Sequence, residues 1–171
     1  MNLASYLRDV QDFPKPGIVF KDITPLLQSP AAMDETTSQI VERFASDKVD
    51  KVAAIESRGF IFGALVAARL GVGFIPVRKP GKLPWRTQSV NYILEYGSGT
   101  LEIHEDAVTK GERVIVVDDL LATGGTARAS CELLERLGAR IVGCAFVVEL
   151  AFLPGRKKLT GQRVEALIRV D

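Results

Sequence analysis

Apolar and polar positions divide this chain into two kinds of segment that alternate along its length. Short apolar runs predict strands covered on both faces, and apolar residues at helical spacing predict amphipathic helices. The predicted strands are residues 18–20, 52–55, 74–77, 114–117 and 141–148, and the predicted helices are residues 3–10, 33–45, 60–70 and 127–137. This alternation predicts an α/β fold with a mostly parallel sheet flanked by helices.

One stretch departs from that pattern. Residues 90–96 and 100–103 alternate apolar and polar positions, which predicts an antiparallel pair joined at residues 97–99. The preceding residues 79–89 are basic, contain proline and glycine, and show no periodicity, so we predict a loop there.

Composition narrows the class of protein. With 171 residues, 47% hydrophobic residues and a net charge of +1, the chain has the composition of one globular domain over residues 1–171. These values disfavour disorder and a polybasic nucleic-acid binder, and any anion must be held by local geometry. The single histidine excludes a multi-histidine metal site.

The cellular setting is predicted from two further features. Cys131 and Cys144 lie in apolar segments, which predicts buried, reduced thiols. The longest uncharged apolar run, residues 59–68, is far shorter than the roughly 20 residues that a membrane span needs. We therefore expect a soluble cytoplasmic protein with no membrane or nucleic-acid partner.

The strongest chemical signal is VIVVDDLLATGGT at residues 114–126. A buried strand leads into two adjacent carboxylates, then into a loop of small residues at the start of a helix. Such a loop directs backbone N–H groups and the helix dipole at one point, which suits an anion. The residues predicted to cradle a phosphate are Ala122, Thr123, Gly124, Gly125 and Thr126.

The carboxylates Asp118 and Asp119 need a different partner, because they would repel a phosphate. They are suited to accept hydrogen bonds from sugar hydroxyls or to face a divalent cation, directly or through water. The segment therefore predicts a ribose 5-phosphate ligand with a metal. The chain has neither a Walker phosphate loop nor a Gly-x-Gly-x-x-Gly after a strand, which disfavours a Walker-type nucleotide hydrolase and a dinucleotide-binding site.

Segment 114–126 resembles the phosphoribosyl-pyrophosphate signature of the type I phosphoribosyltransferase family. Over about residues 10–165 the chain is similar to the adenine phosphoribosyltransferases of that family. The motifs that carry the similarity, in order, are FPKPGIVFKDITPLL, ESRGFIFGALVA, PVRKPGKLP, LEYGSGTLEIHEDA and VVELAFLPGRKKL. The resemblance implies the type I fold with a hood, a small covering part formed by about residues 10–30 and 80–105, and a homodimer.

The resemblance also implies a reaction. Members transfer the 5-phosphoribosyl group from phosphoribosyl pyrophosphate to N9 of adenine, giving AMP and pyrophosphate, with Mg²⁺ held mainly through substrate and water. Residues 122–126 would then hold the 5′-phosphate, and Asp118 and Asp119 would face the ribose hydroxyls.

Two basic segments are expected to bind pyrophosphate. Ser57 and Arg58 would belong to a loop that carries a non-proline cis peptide in the family, here Glu56–Ser57. Arg78, Lys79 and Lys82 would add cations, which a leaving group of several negative charges requires.

The resemblance places adenine between two apolar side chains. Phe20 would stack on the base, and Leu150 would close its other face. The backbone groups of Val19 and Lys21 would lie at the base edge, where Lys21 departs from the arginine that many members carry.

Two further residues of the expected site belong to the LEYG motif. Glu95 would act as general acid and base at N7 of adenine, and Tyr96 would belong to the mobile hood. Exclusion of water on closure would raise the pKa of such a carboxylate.

Two alternatives stay open. A transferase for 6-oxopurines or orotate would share the phosphate signature, although FPKPGIVFKD and LEYG disfavour it. A regulator that senses phosphoribosyl pyrophosphate and binds DNA is disfavoured by the net charge of +1 and by the lack of a spare helix-turn-helix segment.

Overall fold

The computed structural model of the chain describes residues 1–94 and 97–171. The strands are β1 (Arg8–Gln11), β2 (Val19–Asp22), β3 (Lys51–Ile55), β4 (Gly73–Val77), β5 (Thr87–Leu94), β6 (Gly97–His104), β7 (Arg113–Leu121), β8 (Arg140–Leu150) and β9 (Val164–Val170). The helices are α1 (Thr24–Leu27), α2 (Pro30–Arg43), α3 (Gly59–Leu70), α4 (Gly125–Arg136) and α5 (Gly155–Lys158), with a 3₁₀ turn at Leu3–Tyr6.

Across these residues the central sheet has five parallel strands in the order β4-β3-β7-β8-β9. Two antiparallel pairs, β1-β2 and β5-β6, stand apart from it. Strands β2, β5 and β6 lie within the two segments expected to form the hood, about residues 10–30 and 80–105, whereas β1 begins two residues before the first of them. The predicted α/β class with a parallel sheet flanked by helices is confirmed.

The sheet is buried on both faces, which explains the apolar runs. Along β7, Val114 and Val116 pack into one core, whereas Ile115 and Val117 pack into the other. Helix α3 lies close to the sheet at Gly63, where a β-carbon would stand 2.4 Å from the β-carbon of Ala54. The centre of the sheet is therefore fixed by close packing from both sides.

Most predicted elements are present, with shifted ends. Helix α3 ends where predicted, because Gly71 adopts a left-handed conformation with φ of 69°. The prediction that β7 stops before the two acids was wrong, since the strand continues through Asp118 and Asp119 to Leu121. The antiparallel pair is also longer than predicted: β5 begins at Thr87 and β6 already begins at Gly97.

The predicted helix at residues 3–10 was wrong in its second half, which forms β1. Arg8 lies opposite Asp22 in the pairing with β2 and donates to its carboxylate over 2.6 Å. Asp9 lies opposite Lys21 and accepts a hydrogen bond from its ammonium over 2.7 Å. These cross-strand ion pairs favour the strand over the local helical spacing. None of the described helices is both long and apolar enough to cross a bilayer.

Candidate active site

The predicted phosphate loop joins β7 to α4 at the carboxyl edge of the sheet. Gly124 is the N-cap of α4 with φ of 80°, a left-handed conformation that favours glycine. It provides no side chain to cap the helix, so the first amide groups of α4 are available to an anion. The half-buried side chain of Thr126 lines the cavity beside them.

Both predicted ribose carboxylates are buried. Asp118 is 8% exposed and accepts a hydrogen bond from the backbone amide of Asp119 over 2.9 Å. Asp119 is 6% exposed and forms an ion pair with Nε of Arg58. Burial, and next the charge of Asp119, raise the pKa of the Asp118 carboxyl well above its ordinary value.

The start of helix α3 approaches these acids through Gly59, whose contact with β7 the sequence did not predict. A β-carbon on Gly59 would lie 2.6 Å from Oδ1 of Asp118 and 3.2 Å from the backbone oxygen of Val117. Only glycine therefore lets α3 begin against β7 without displacing the buried carboxylate of Asp118. The signal in the sequence was a glycine directly after Arg58, at the predicted helix start.

The second of the two basic segments expected to bind pyrophosphate gathers on one carboxylate. The side chain of Glu56 is 6% exposed. It accepts hydrogen bonds from Nε of Arg78 over 2.8 Å and from the backbone amide of Lys79 over 3.0 Å, and it pairs with Nζ of Lys82 over 3.2 Å. Burial raises the pKa of Glu56, but these donors outweigh it and leave the pKa lowered. The Glu56–Ser57 peptide is cis, as expected.

These elements enclose a cleft of about 320 Å³, which we call the carboxyl-edge cavity. Its volume lies within the range of about 300–1,000 Å³ typical of small-molecule sites. Its lining is Ile55, Glu56, Ser57, Arg58, Lys79, Asp118, Asp119, Leu120 and Thr126. The structure thus brings predicted phosphate, ribose and pyrophosphate residues into one cavity.

Of the predicted adenine residues, Phe20 contacts a residue that lines this cavity. The guanidinium of Arg58 stands 5.7 Å from the ring centroid of Phe20, whose ring also contacts Phe13 edge-on at 5.1 Å between centroids. Val19 is exposed, and the ammonium of Lys21 is paired with Asp9. Half-buried Leu150 ends β8 at the same edge of the sheet, outside the described lining of the cavity.

The hairpin β5-β6 lies against the start of α4. A β-carbon on Gly125 would stand 3.3 Å from the ring of Tyr92 and 3.4 Å from the backbone oxygen of Ile93. The predicted catalytic Glu95 and hood residue Tyr96 lie outside the described residues.

Comparisons with known proteins agree with this geometry. The phosphoribosyl transferase domain family matches residues 21–163. The chain is 58% identical to the adenine phosphoribosyltransferase of Methylococcus capsulatus, over 97% of each chain. It superposes on the crystal structure of the Thermoanaerobacter pseudethanolicus adenine phosphoribosyltransferase with a TM-score of 0.95 and 52% identity, over 98% of each chain.

A third relative was solved with ligands. The adenine phosphoribosyltransferase of Saccharomyces cerevisiae, in complex with adenine and an imino-altritol bisphosphate, is 43% identical with a TM-score of 0.91 over 96% of each chain. The parallel sheet, with its glycine loop and paired acids at the carboxyl edge, is that of a type I phosphoribosyltransferase. Within that class, the chain belongs to the adenine phosphoribosyltransferase family.

Asp118→Asn should raise the stability of the ligand-free protein, and by more at high pH than at low pH. The folded state holds the Asp118 proton more tightly than the unfolded state, whose pKa is near 3.8, so wild-type stability falls as pH rises above that value. Asparagine keeps an oxygen that can accept the hydrogen bond from Asp119, but it carries no charge at any pH, so the fall in stability with rising pH should be absent from the variant. We expect its melting temperature to exceed that of the wild type by a few degrees at pH 8 and by less at pH 4.5.

The control is Asp106→Asn, which changes an exposed carboxylate and should leave the melting temperature nearly unchanged at both pH values. A lower melting temperature for Asp118→Asn at pH 8 would contradict the burial cost assigned to this carboxyl.

Proposed function

We propose that this protein transfers the 5-phosphoribosyl group of phosphoribosyl pyrophosphate to N9 of adenine, releasing pyrophosphate and forming AMP. One observation carries the proposal: the carboxyl-edge cavity places paired acids, the start of α4 and a cation-bearing loop around a single space. Adenine bound to the Saccharomyces cerevisiae relative supports the choice of base.

The ribosyl end of the substrate would lie between α4 and β7. Amide groups of residues 122–126 would hold the 5′-phosphate, with Thr126 lining the cavity. Asp118 and Asp119 would accept hydrogen bonds from the ribose hydroxyls. A buried carboxylate binds a hydroxyl strongly, because little water competes with it.

The pyrophosphate end would lie against Ser57 and Arg58, with Arg78, Lys79 and Lys82 close by. The bond from C1′ to the pyrophosphate oxygen breaks as N9 bonds to C1′, so negative charge grows on the leaving group. Cations already held in place by Glu56 would bind that charge most strongly in the transition state.

The donor set fits a Mg²⁺ requirement. The oxygens of Asp118 and Asp119 are hard ligands that face the same cavity as the pyrophosphate residues, and they could hold the ion through water. Bound Mg²⁺ would supply further positive charge to the diphosphate.

Adenine would stack on Phe20, with Leu150 on its other face and the backbone of Val19 and Lys21 at its edge. The side chain of Lys21 is already paired with Asp9, which explains how lysine can replace arginine there without a role for the side chain at the base. Glu95 would donate a proton to N7, which makes the N9 proton more acidic; that proton would pass to the leaving pyrophosphate as N9 bonds to C1′, and N7 would return its proton to Glu95.

Two features of the fold fit a homodimer in the cytoplasm, one exposed and one buried. Helix α3 exposes apolar side chains at helical spacing, namely Ile61, Ala64, Leu65 and Ala68. An exposed apolar stripe is typical of a protein interface. Cys131 and Cys144 are buried with free thiols, as predicted, which suits a reducing compartment.

The first test compares substrates. With phosphoribosyl pyrophosphate and Mg²⁺, we expect AMP from adenine with a kcat/KM on the order of 100-fold or more above that for hypoxanthine, guanine or orotate, because the base edge selects by hydrogen bonding. Preference for another base would favour the first alternative. A salt-sensitive mobility shift with DNA and no turnover would favour the regulator.

Glu95→Gln should lower kcat about 100-fold or more and leave the KM for phosphoribosyl pyrophosphate nearly unchanged, because general acid–base catalysis is typically worth that much. The matched control is Glu105→Gln, which changes an exposed glutamate on the same stretch of chain and should retain wild-type kcat. An unchanged kcat in Glu95→Gln would remove this residue from the chemistry.

Leu65→Glu should separate the dimer. Light scattering should give the wild type twice the chain mass of 18.6 kDa and give the variant a single chain mass. Thr160→Glu, an exposed position outside α3, should stay dimeric. A wild type of single chain mass would refute the dimer.

A further inference from the structure

The turn after β8 contacts the phosphate loop through two glycines. A β-carbon on Gly155 would stand 2.3 Å from the backbone oxygen of Ala122, and one on Gly124 would stand 2.6 Å from the backbone oxygen of Gly155. The two backbones are therefore in direct contact, and Gly155 lies behind the loop that holds the start of α4. Nothing in the glycine signature itself indicates this partner.

An ion pair closes the same turn. Arg156 donates from Nε to Oε1 of Glu149 over 2.8 Å and from Nη2 to Oε2 over 2.6 Å. Its third nitrogen, Nη1, donates to the backbone oxygen of Val164 over 3.0 Å. Glu149 is 4% exposed, and its two-pronged pairing with Arg156 lowers its pKa.

Glu149 and Arg156 are each the sequence neighbour of a residue in the proposed site. Glu149 directly precedes Leu150, the residue assigned to one face of adenine, and Arg156 directly follows Gly155, the residue behind the phosphate loop. A fork of two short hydrogen bonds fixes orientation as well as distance. The pair therefore restrains both ends of the 149–156 turn at once.

We propose that the Glu149–Arg156 ion pair is a positioning pair that sets the phosphate loop and the Leu150 face of the adenine site relative to each other. Arg156 touches no reacting atom in this scheme and acts through Gly155 and Leu150. The assignment of the two subsites rests on the proposed function.

The test is Arg156→Gln, with Arg156→Lys as a milder variant that keeps the charge and loses the fork. We expect Arg156→Gln to raise the KM for phosphoribosyl pyrophosphate and the KM for adenine at least fivefold each, with a smaller change in kcat. Arg156→Lys should fall between it and the wild type. If Arg156→Gln does not fold, as judged by circular dichroism, Arg156→Lys against the wild type decides.

The matched control is Arg113→Gln. Arg113 also makes a two-pronged pair with a carboxylate, from Nε to Oδ2 of Asp50 over 3.0 Å and from Nη2 to Oδ1 over 3.1 Å, but it begins β7, at the opposite edge of the sheet. This variant should lower the melting temperature and leave both KM values within twofold of the wild type.

Two results would overturn the proposal. Unchanged KM values with a lowered melting temperature would make the pair a purely structural one, and a rise in only one KM would refute the link between the two subsites.

Calorimetric titration with ribose 5-phosphate tests the positioning pair separately from the proposed function, because it measures binding and needs no turnover. A wild type that forms no AMP would refute the proposed function. Weaker binding of ribose 5-phosphate by Arg156→Gln than by the wild type would support the action of the pair on the phosphate loop, and equal binding would refute that action.

Discussion

The ion pair between Arg58 and Asp119 is the interaction on which the rest of the site depends. Two adjacent carboxylates buried in β7 repel each other, and their burial is costly unless a cation compensates for it. Arg58 supplies that cation from the start of α3, and Gly59 lets the helix come close enough for it to do so. The same guanidinium lies beside the ring of Phe20, so one side chain contacts residues of the proposed ribose and adenine subsites and belongs itself to the proposed pyrophosphate subsite.

Glu56 compensates for repulsion between neighbouring cations, as Arg58 does for the two carboxylates. Arg78 and Lys82 lie near each other and would repel, yet both are held by the carboxylate of Glu56. Charges of both signs are therefore paired before any substrate binds. This pairing lets a chain with a net charge of +1 present a local concentration of cations to a polyanion, since the field is built by geometry and not by an excess of lysine and arginine.

Features that depend on residues adjacent in the sequence could be predicted, whereas features that depend on contacts between distant residues could not. The strand, acids, loop and helix of residues 114–126 are contiguous, so their order alone indicated a phosphate site. The strand β1 was missed because its ion pairs come from β2. The role of Glu56 was missed because its partner Arg78 is 22 residues away. Strand β9 has apolar residues at every second position from Val164 to Val170, a period that indicates a strand, although Leu167 interrupts the alternation with polar residues.

The residues that meet in the site are far apart in the sequence, so the site forms only in the folded chain. Arg58 and Asp119 are 61 residues apart, and the glycine contact behind the phosphate loop joins Gly124 to Gly155. These contacts form only when the parallel sheet is complete, because β3, β7 and β8 must lie side by side before their carboxyl ends meet. The unfolded chain therefore has no comparable affinity for the substrate. Binding energy from the substrate must then stabilise the folded sheet, which offsets the cost of holding two buried carboxylates at its centre.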